Sequence, residues 1–408
     1  MLSALHSKQL GLALQEARKK AGKRQEDIAI LLGVSRPTVI AIEKGDRPLK
    51  PDEILLLRKY FPLDIHRALT SPFTVEPIAL WFRLPSREKF SPDIENALKK
   101  KLYDFIFHAR TLDNILGQSS PAWQSVYPIA HLPPETAAEW IAQKERQRLN
   151  LGIMPIADMR TLLEENIGIR TLLLDLPSSV SGCFNFSTGN GATIIVNRKH
   201  RFGRKNFSFA HEFGHFLAHR EQSIPPSSEY NLNTPEEQFA NTFARHFLMP
   251  RDGIISRVQA LIQQNSTLTV GDIVGLAHAF GVSFDAMVRR MIDLTILPKE
   301  AHSVLKKYNV TSMQQEQGIV EPHQEQFSEH YKRKCFRAYQ EEHITLAILA
   351  EYLDTDRVSA RDFLEGMEKK EREQLLSQDA GTLTIDDFNK PFTNFIAESR
   401  EEPFHAIS

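Results

Sequence analysis

Cysteine is nearly missing from this chain: 408 residues contain only Cys183 and Cys335, far apart. A disulfide framework is excluded as a source of stability, and so is a four-cysteine zinc site. Long apolar runs are missing too. No stretch approaches the roughly 18 uninterrupted apolar residues that a membrane-spanning helix needs. The opening MLSALHSKQLGLALQEARKK lacks the basic, apolar, small-residue order of a secretory signal. These absences predict a protein of the reducing cytoplasm with no membrane partner. Neither sign of charge dominates, with 50 Lys and Arg against 51 Asp and Glu, and no fixed-period repeat or long low-complexity segment interrupts the text.

What is present is ample apolar material, 41% of residues, beside 25% charged residues, the profile of globular units with real cores. The length predicts two to four such units. The balanced total hides an uneven distribution, because Met1–Thr70 carries 13 Lys and Arg against 8 Asp and Glu. A basic segment of this kind points toward a nucleic-acid-facing module.

That segment reads as a set of short helices. Leu10, Leu14 and Ala17 fall at i, i+4 and i+7, giving one buried stripe, and Gly22 ends the helix. Gln25 to Leu32 forms a second helix with Ile28, Ala29 and Leu32 inward. Gly33 permits a tight turn, Ser35 is a good N-cap and Pro37 sits in the first turn of a third helix, with Val39 and Ile42 toward the core and Gly45 as the stop. Helix, glycine turn and capped helix make a helix-turn-helix, whose second helix can lie in a major groove.

The stretch QEDIAILLGVSRPTVIAIEKG resembles Xre/Cro-type repressor domains. The resemblance implies a phosphate contact at Gln25 and base reading from Arg36 to Ala41. Pro37, Ile40 and Ala41 cannot hydrogen-bond a base edge. The candidate DNA-binding side chains are therefore Gln25, Ser35, Arg36, Thr38 and Lys44, and the competing reading is a module of the same ancestry used for protein contact. DNA is the expected partner, and paired half-sites make a homodimer reasonable.

Beyond it, residues 71–134 read as a helical connector with a long amphipathic stretch from Pro92 to Leu116. Helices are predicted from near Glu135 and over Pro155–Asn166. After Gly168 come three β-like stretches, IRTLLLDL, SVSGCFNF and ATIIVN, the last behind the turn signal STGNG. They predict a small antiparallel sheet. Further helices are expected over Val270–Phe280, Phe284–Ile292, His323–Glu342, Ile344–Leu353 and around Val358–Glu368, with a loosely ordered tail after Ser377. The expected architecture is α+β and mostly helical, divided at 1–70, 71–134, 135–299 and 300–408.

The decisive text is FSFAHEFGHFLAHR, residues 207–220, which holds His-Glu-x-x-His at 211, 212 and 215. On a helix, positions i and i+4 share one face, so two imidazoles can bind one tetrahedral metal. Glu212 can then accept a proton from a water activated by that metal and pass it to a leaving amine. A third ligand must come from elsewhere, and PEEQFANTFARHFLMP offers it. Glu237 is the preferred residue, with Asn241 at i+4 to support a neighbouring ligand. Glu236 and His219 compete for the role, although His219 lies far along the axis from His211. Tyr230, His219 and His246 are candidate oxyanion donors. Zinc is the default metal for two His and one Glu with an open position; manganese and iron stay open by residue type.

AHEFGHFLAH followed by EEQFANTFARHFLMP resembles the ImmA/IrrE metallopeptidases over roughly Thr136–Ile292, with IIVN as the preceding strand. The resemblance implies His211, His215 and Glu237 as ligands and Glu212 as general base. It also implies a protein substrate, since the usual partner is an Xre-type repressor that the peptidase inactivates. An intracellular peptidase acting on a regulatory protein is the first expectation. The second is a non-enzymatic DNA-binding regulator or antitoxin-like protein whose peptidase domain is a sensor or scaffold. Elsewhere the bland readings prevail: Phe239, Phe243 and Phe247 are core packing, Cys183 is a small buried residue, RKHRFGRK at 198–205 is a solvated loop and helix start, and Met249-Pro250 marks a helix end.

Overall fold

The computed structural model describes residues 10–60, 92–220 and 234–379, apart from scattered positions within them. The expected tail after Ser377 falls mostly outside that set, as does Tyr230. The chain divides into two compact units, Met1–Lys334 and Cys335–Ser408. Among the described residues no single helix is long and apolar enough to cross a membrane.

The first elements are α1, helical between residues 10 and 19, α2 (Gln25–Leu32), α3 (Arg36–Lys44) and α4 (Pro51–Tyr60). Gly33 and Gly45 both end helices in the left-handed conformation, at φ 64° and 83°. Ser35 accepts the Thr38 amide as the N-cap of α3. Leu10, Leu14, Ile28, Val39, Ile42 and Leu57 close a small core. Gly11 permits the closest approach there, because a Cβ would lie 2.1 Å from the Ile42 carbonyl oxygen.

Then follow α5 (Pro92–Ile115), α6 (Pro134–Arg148) and three strands, β1 (Arg170–Leu174), β2 (Gly182–Ser187) and β3 (Gly191–Asn197). The sheet corrects the antiparallel expectation, since its order is β1-β3-β2 with β1 parallel to β3 and only β2 antiparallel. β2 passes to the far side and the hairpin returns β3 to the centre. That central place explains why β3 is buried at all seven positions, Thr193 and Asn197 included. The helix expected over Pro155–Asn166 begins only at Met159, after the Asp158 cap, and widens into a π-type turn over Leu162–Ile167.

Two long helices lie beyond the sheet, α7 (Phe202–His219) and α8 (Pro235–Leu248). They pack together through Gly214, where a Cβ would come within 2.9 Å of the Phe243 ring. Phe239, Phe243 and Phe247 are fully buried and stacked in series, with centroids 6.3 and 5.2 Å apart, as core packing requires. α9 (Arg251–Asn265), α10 (Val270–Ala279), α11 (Phe284–Asp293), α12 (Ala301–Leu305) and α13 (Val310–Glu316) follow.

The helix expected from His323 starts at Glu329, as α14 (Glu329–Gln340). The six residues before it are non-helical, with a bend at Gln326 and Phe327. The Leu173 amide donates to the Gln326 carbonyl at 3.1 Å, and buried Arg160 donates to the Glu325 and Gln326 carbonyls. Local helical propensity loses to a sheet edge and a buried guanidinium that both need acceptors. The second unit contains α15 (Leu346–Tyr352) and α16 (Arg357–Asp379), packed on Leu349, Tyr352, Ala360 and Leu364.

Candidate metal centre and nucleic-acid interface

His211, Glu212 and His215 lie on α7, and α8 crosses it to bring Glu237 opposite. His211 Nε2 lies 3.2 Å from His215 Nε2, and each nitrogen is 3.3 Å from an oxygen of the Glu237 carboxylate. Metal bonds of roughly 2.0–2.1 Å in a tetrahedron give ligand-to-ligand edges of about 3.3–3.4 Å. The three side chains thus already stand at the separations a small tetrahedral ion imposes. They form a group able to hold a metal ion.

The protons are arranged to match. His211 Nδ1 is 3.1 Å from Asn241 Oδ1. An amide oxygen only accepts, so Nδ1 carries a hydrogen toward Asn241, which leaves Nε2 facing Glu237 as the nitrogen that would offer its lone pair to a bound metal. Behind the second histidine, His215 Nδ1 is 3.0 Å from His219 Nδ1. His219 is therefore a support for His215 and stands outside the triad, edge-on to Phe239. Burial would raise the Glu237 carboxyl, but the two imidazoles that face it, His211 and His215, outweigh burial and hold the group far below the usual carboxylate range. An anionic carboxylate facing two imidazoles is the charge pattern that suits a divalent cation.

Glu212 is buried beside the triad, against β2. Gly182 of β2 lies against it: a Cβ there would be in ordinary contact with Glu212 Cγ at 3.6 Å, while the β3 backbone excludes one, with the Ile195 carbonyl oxygen 2.7 Å away. From the same strand the Phe184 ring lies parallel to His215, 8° apart at 6.3 Å. Sequence reasoning missed Gly182 and Phe184, and nothing local marks them, since a tertiary contact gives them their place. His219 as a support was within reach, because 211, 215 and 219 continue one i+4 stripe.

The far end of α8 is fixed by two buried cations. Arg146 of α6 donates to the Phe247 carbonyl and Arg290 of α11 to the Met249 carbonyl, satisfying C-terminal carbonyls and the helix dipole together. Burial lowers each guanidinium to about 10. His246, a candidate oxyanion donor, sits at this end. Burial, with Arg290 and Arg245 nearby, lowers it to about 3, and its ring faces Arg290 at 3.2 Å, away from the triad. Glu236 is not part of the triad.

At the helix-turn-helix, Gln25 is turned inward, its amide donating to Glu43 at 2.9 Å. Glu43 is buried and also takes two bonds from Arg18, at 2.6 and 3.1 Å. Arg36 is exposed on α3 and pairs with exposed Glu26 at 3.0 Å. The Ser35 and Thr38 hydroxyls bond one another at 2.8 Å, and Lys44 is exposed at the end of α3.

A helix-borne His-Glu-x-x-His pair completed by a glutamate from a second helix defines a metallopeptidase-type centre. Residues 164–291 match the family model described as the IrrE N-terminal-like domain of the M78 peptidases, and residues 14–66 match a helix-turn-helix model. No curated protein matches the chain. The chain therefore joins a DNA-binding-type domain to an IrrE-like peptidase domain, in that order.

Proposed function

We propose that this chain is a zinc-dependent endopeptidase of the cytoplasm that cleaves a specific regulatory protein, such as an Xre-type repressor. The observation that carries the reading is the triangle of His211, His215 and Glu237, with edges of 3.2 and 3.3 Å, each imidazole backed at its Nδ1. When bound there, a zinc ion would supply Lewis acidity toward a water and a peptide carbonyl. Glu212 accepts the proton of the attacking water and returns it to the amine of the departing peptide. Asn241 and His219 hold the two ligand rings in their tautomers and orientation.

β2 is an edge strand of the sheet and lies beside Glu212. A substrate segment added along that edge would present its backbone to the site through main-chain hydrogen bonds. An extended stretch of a folded regulator offers such a segment only where a linker is exposed, which fits narrow specificity. The helix-turn-helix, binding DNA as a homodimer through Arg36, Thr38 and Lys44, would bring the peptidase to a repressor on its operator.

The test is cleavage of Xre-type repressors by the zinc-loaded chain and by Glu212→Gln. Cleavage by the wild type, abolished in the variant with zinc retained, supports the proposal. A biological effect that survives Glu212→Gln would instead assign the peptidase domain a sensing or scaffolding role.

A further inference from the structure

Away from the metal triad, the start of α7 and the end of α8 meet the wall of one cavity of about 900 Å³. Its lining combines two kinds of chemistry. Phe207, Phe284 and Tyr308 contribute aromatic surface, with Met249, Val288 and Leu305 beside them. Six Lys and Arg side chains also line it, against only two acids, Asp285 and Glu321.

The charges do not cancel. Asp285 is engaged by Arg289 at 2.8 Å and by His302 at 2.6 Å, and Arg245 is matched by Asp293 at 2.9 Å. Lys199, Arg201, Arg204 and Lys306 remain as exposed cations facing one carboxylate, Glu321. That carboxylate is itself informative. It accepts the backbone N–H of Phe202, the first residue of α7, at 3.2 Å. The chain's own anion thus sits where the helix dipole and the cation cluster favour negative charge. In the same wall, His200 Nδ1 is buried with no hydrogen-bond partner among the described residues.

We propose that this cavity binds a phosphorylated small molecule of the nucleotide class. The unmatched cations suit phosphates, the aromatic side chains suit a flat base, and the volume lies within the roughly 300–1,000 Å³ of small-molecule pockets. The RKHRFGRK run, which reads from sequence as a solvated loop, supplies three of the cations. Phe207 stands one helical turn before His211, and Arg245 lies two turns beyond Glu237. A ligand here therefore touches both helices that carry the triad. The binding claim itself is independent of peptidase activity.

The experiment is calorimetric titration of the full chain with ADP and GDP, with adenosine, pyrophosphate and an oligoglutamate peptide as comparison probes. One nucleoside diphosphate is expected to bind with one-to-one saturation, more tightly than adenosine or pyrophosphate. Arg201→Glu combined with Lys306→Glu should weaken it by roughly tenfold or more, while Glu321→Gln should strengthen it several-fold by removing the competing carboxylate. All three side chains are exposed, and an unchanged melting temperature separates lost binding from lost fold. Absence of nucleotide binding at millimolar concentration, affinity indifferent to both variants, or tighter binding of oligoglutamate than of either nucleotide would overturn the proposal.

Discussion

The helix pair α7–α8 and the helix-turn-helix place their functional side chains in opposite settings. On α7 and α8 the chemistry is buried: His215 and Glu237 are 0% and 4% exposed, and His211 and His215 each have a polar residue behind them. On α3 the candidate DNA-facing cations Arg36 and Lys44 stand in solvent, and three of the positions that would meet bases are Pro37, Ile40 and Ala41. A buried polar cluster survives only if every member is matched, so its residue types report its purpose. An exposed helix face tolerates many residue types, and its fold says little about what it touches.

This contrast can be broken at several points, and the largest effect is expected at the metal triad's base. Glu212→Gln should lower peptide hydrolysis by about 10²–10⁴-fold while zinc content is unchanged, measured by cleavage assay and elemental analysis. Asn241→Ala should come next. Losing the acceptor behind His211 frees its tautomer and is expected to weaken zinc about 10–100-fold in competition with a chelator.

In the helix-turn-helix, the buried contact that matters is structural. Glu43→Ala leaves Arg18 buried without its partner and should cost about 3 kcal/mol of domain stability in denaturant titration. Burial raises the Glu43 carboxyl, but Arg18, Gln25 and Gln15 outweigh it and hold it below its usual value of 4.5. Its contribution is therefore complete above that value and is lost as pH falls through the lowered folded value. Wild type should lose stability on acidification over that window, and Glu43→Gln should lose less. The smallest effect is expected at the exposed face. Arg36→Ala should reduce DNA affinity by about tenfold at low salt with no change in melting temperature, since its pair with Glu26 is solvent-exposed. A DNA affinity unchanged in that variant would favour protein contact for α3.

Much of this was legible in the sequence where local rules and burial agree. Gly33, Ser35 and Gly45 announce their turn and caps, and the i+4 spacing of His211 and His215 puts both on one face. The pairing of Glu237 with them follows from a second amphipathic helix carrying Asn241 one turn on. The sheet was less legible, because β-like text states that strands exist without stating which lies in the middle. The stretch before Glu329 was misread as helix because its conformation is set by Arg160 and β1, distant in sequence. Gln25 gained a contact that its motif position does not announce, its amide donating to Glu43. Phe184 owes its place to the packing of β2 on α7, and Gly182 to the close approach of the β3 backbone, neither of which a local pattern encodes.

The most direct test of the central claim is the metal content of purified protein, wild type against the His211→Ala/His215→Ala variant, by elemental analysis after reconstitution with zinc. About one zinc ion per chain in the wild type and none in the variant is the result the triad predicts. Absence of zinc from the wild type, or equal zinc in both proteins, would contradict it.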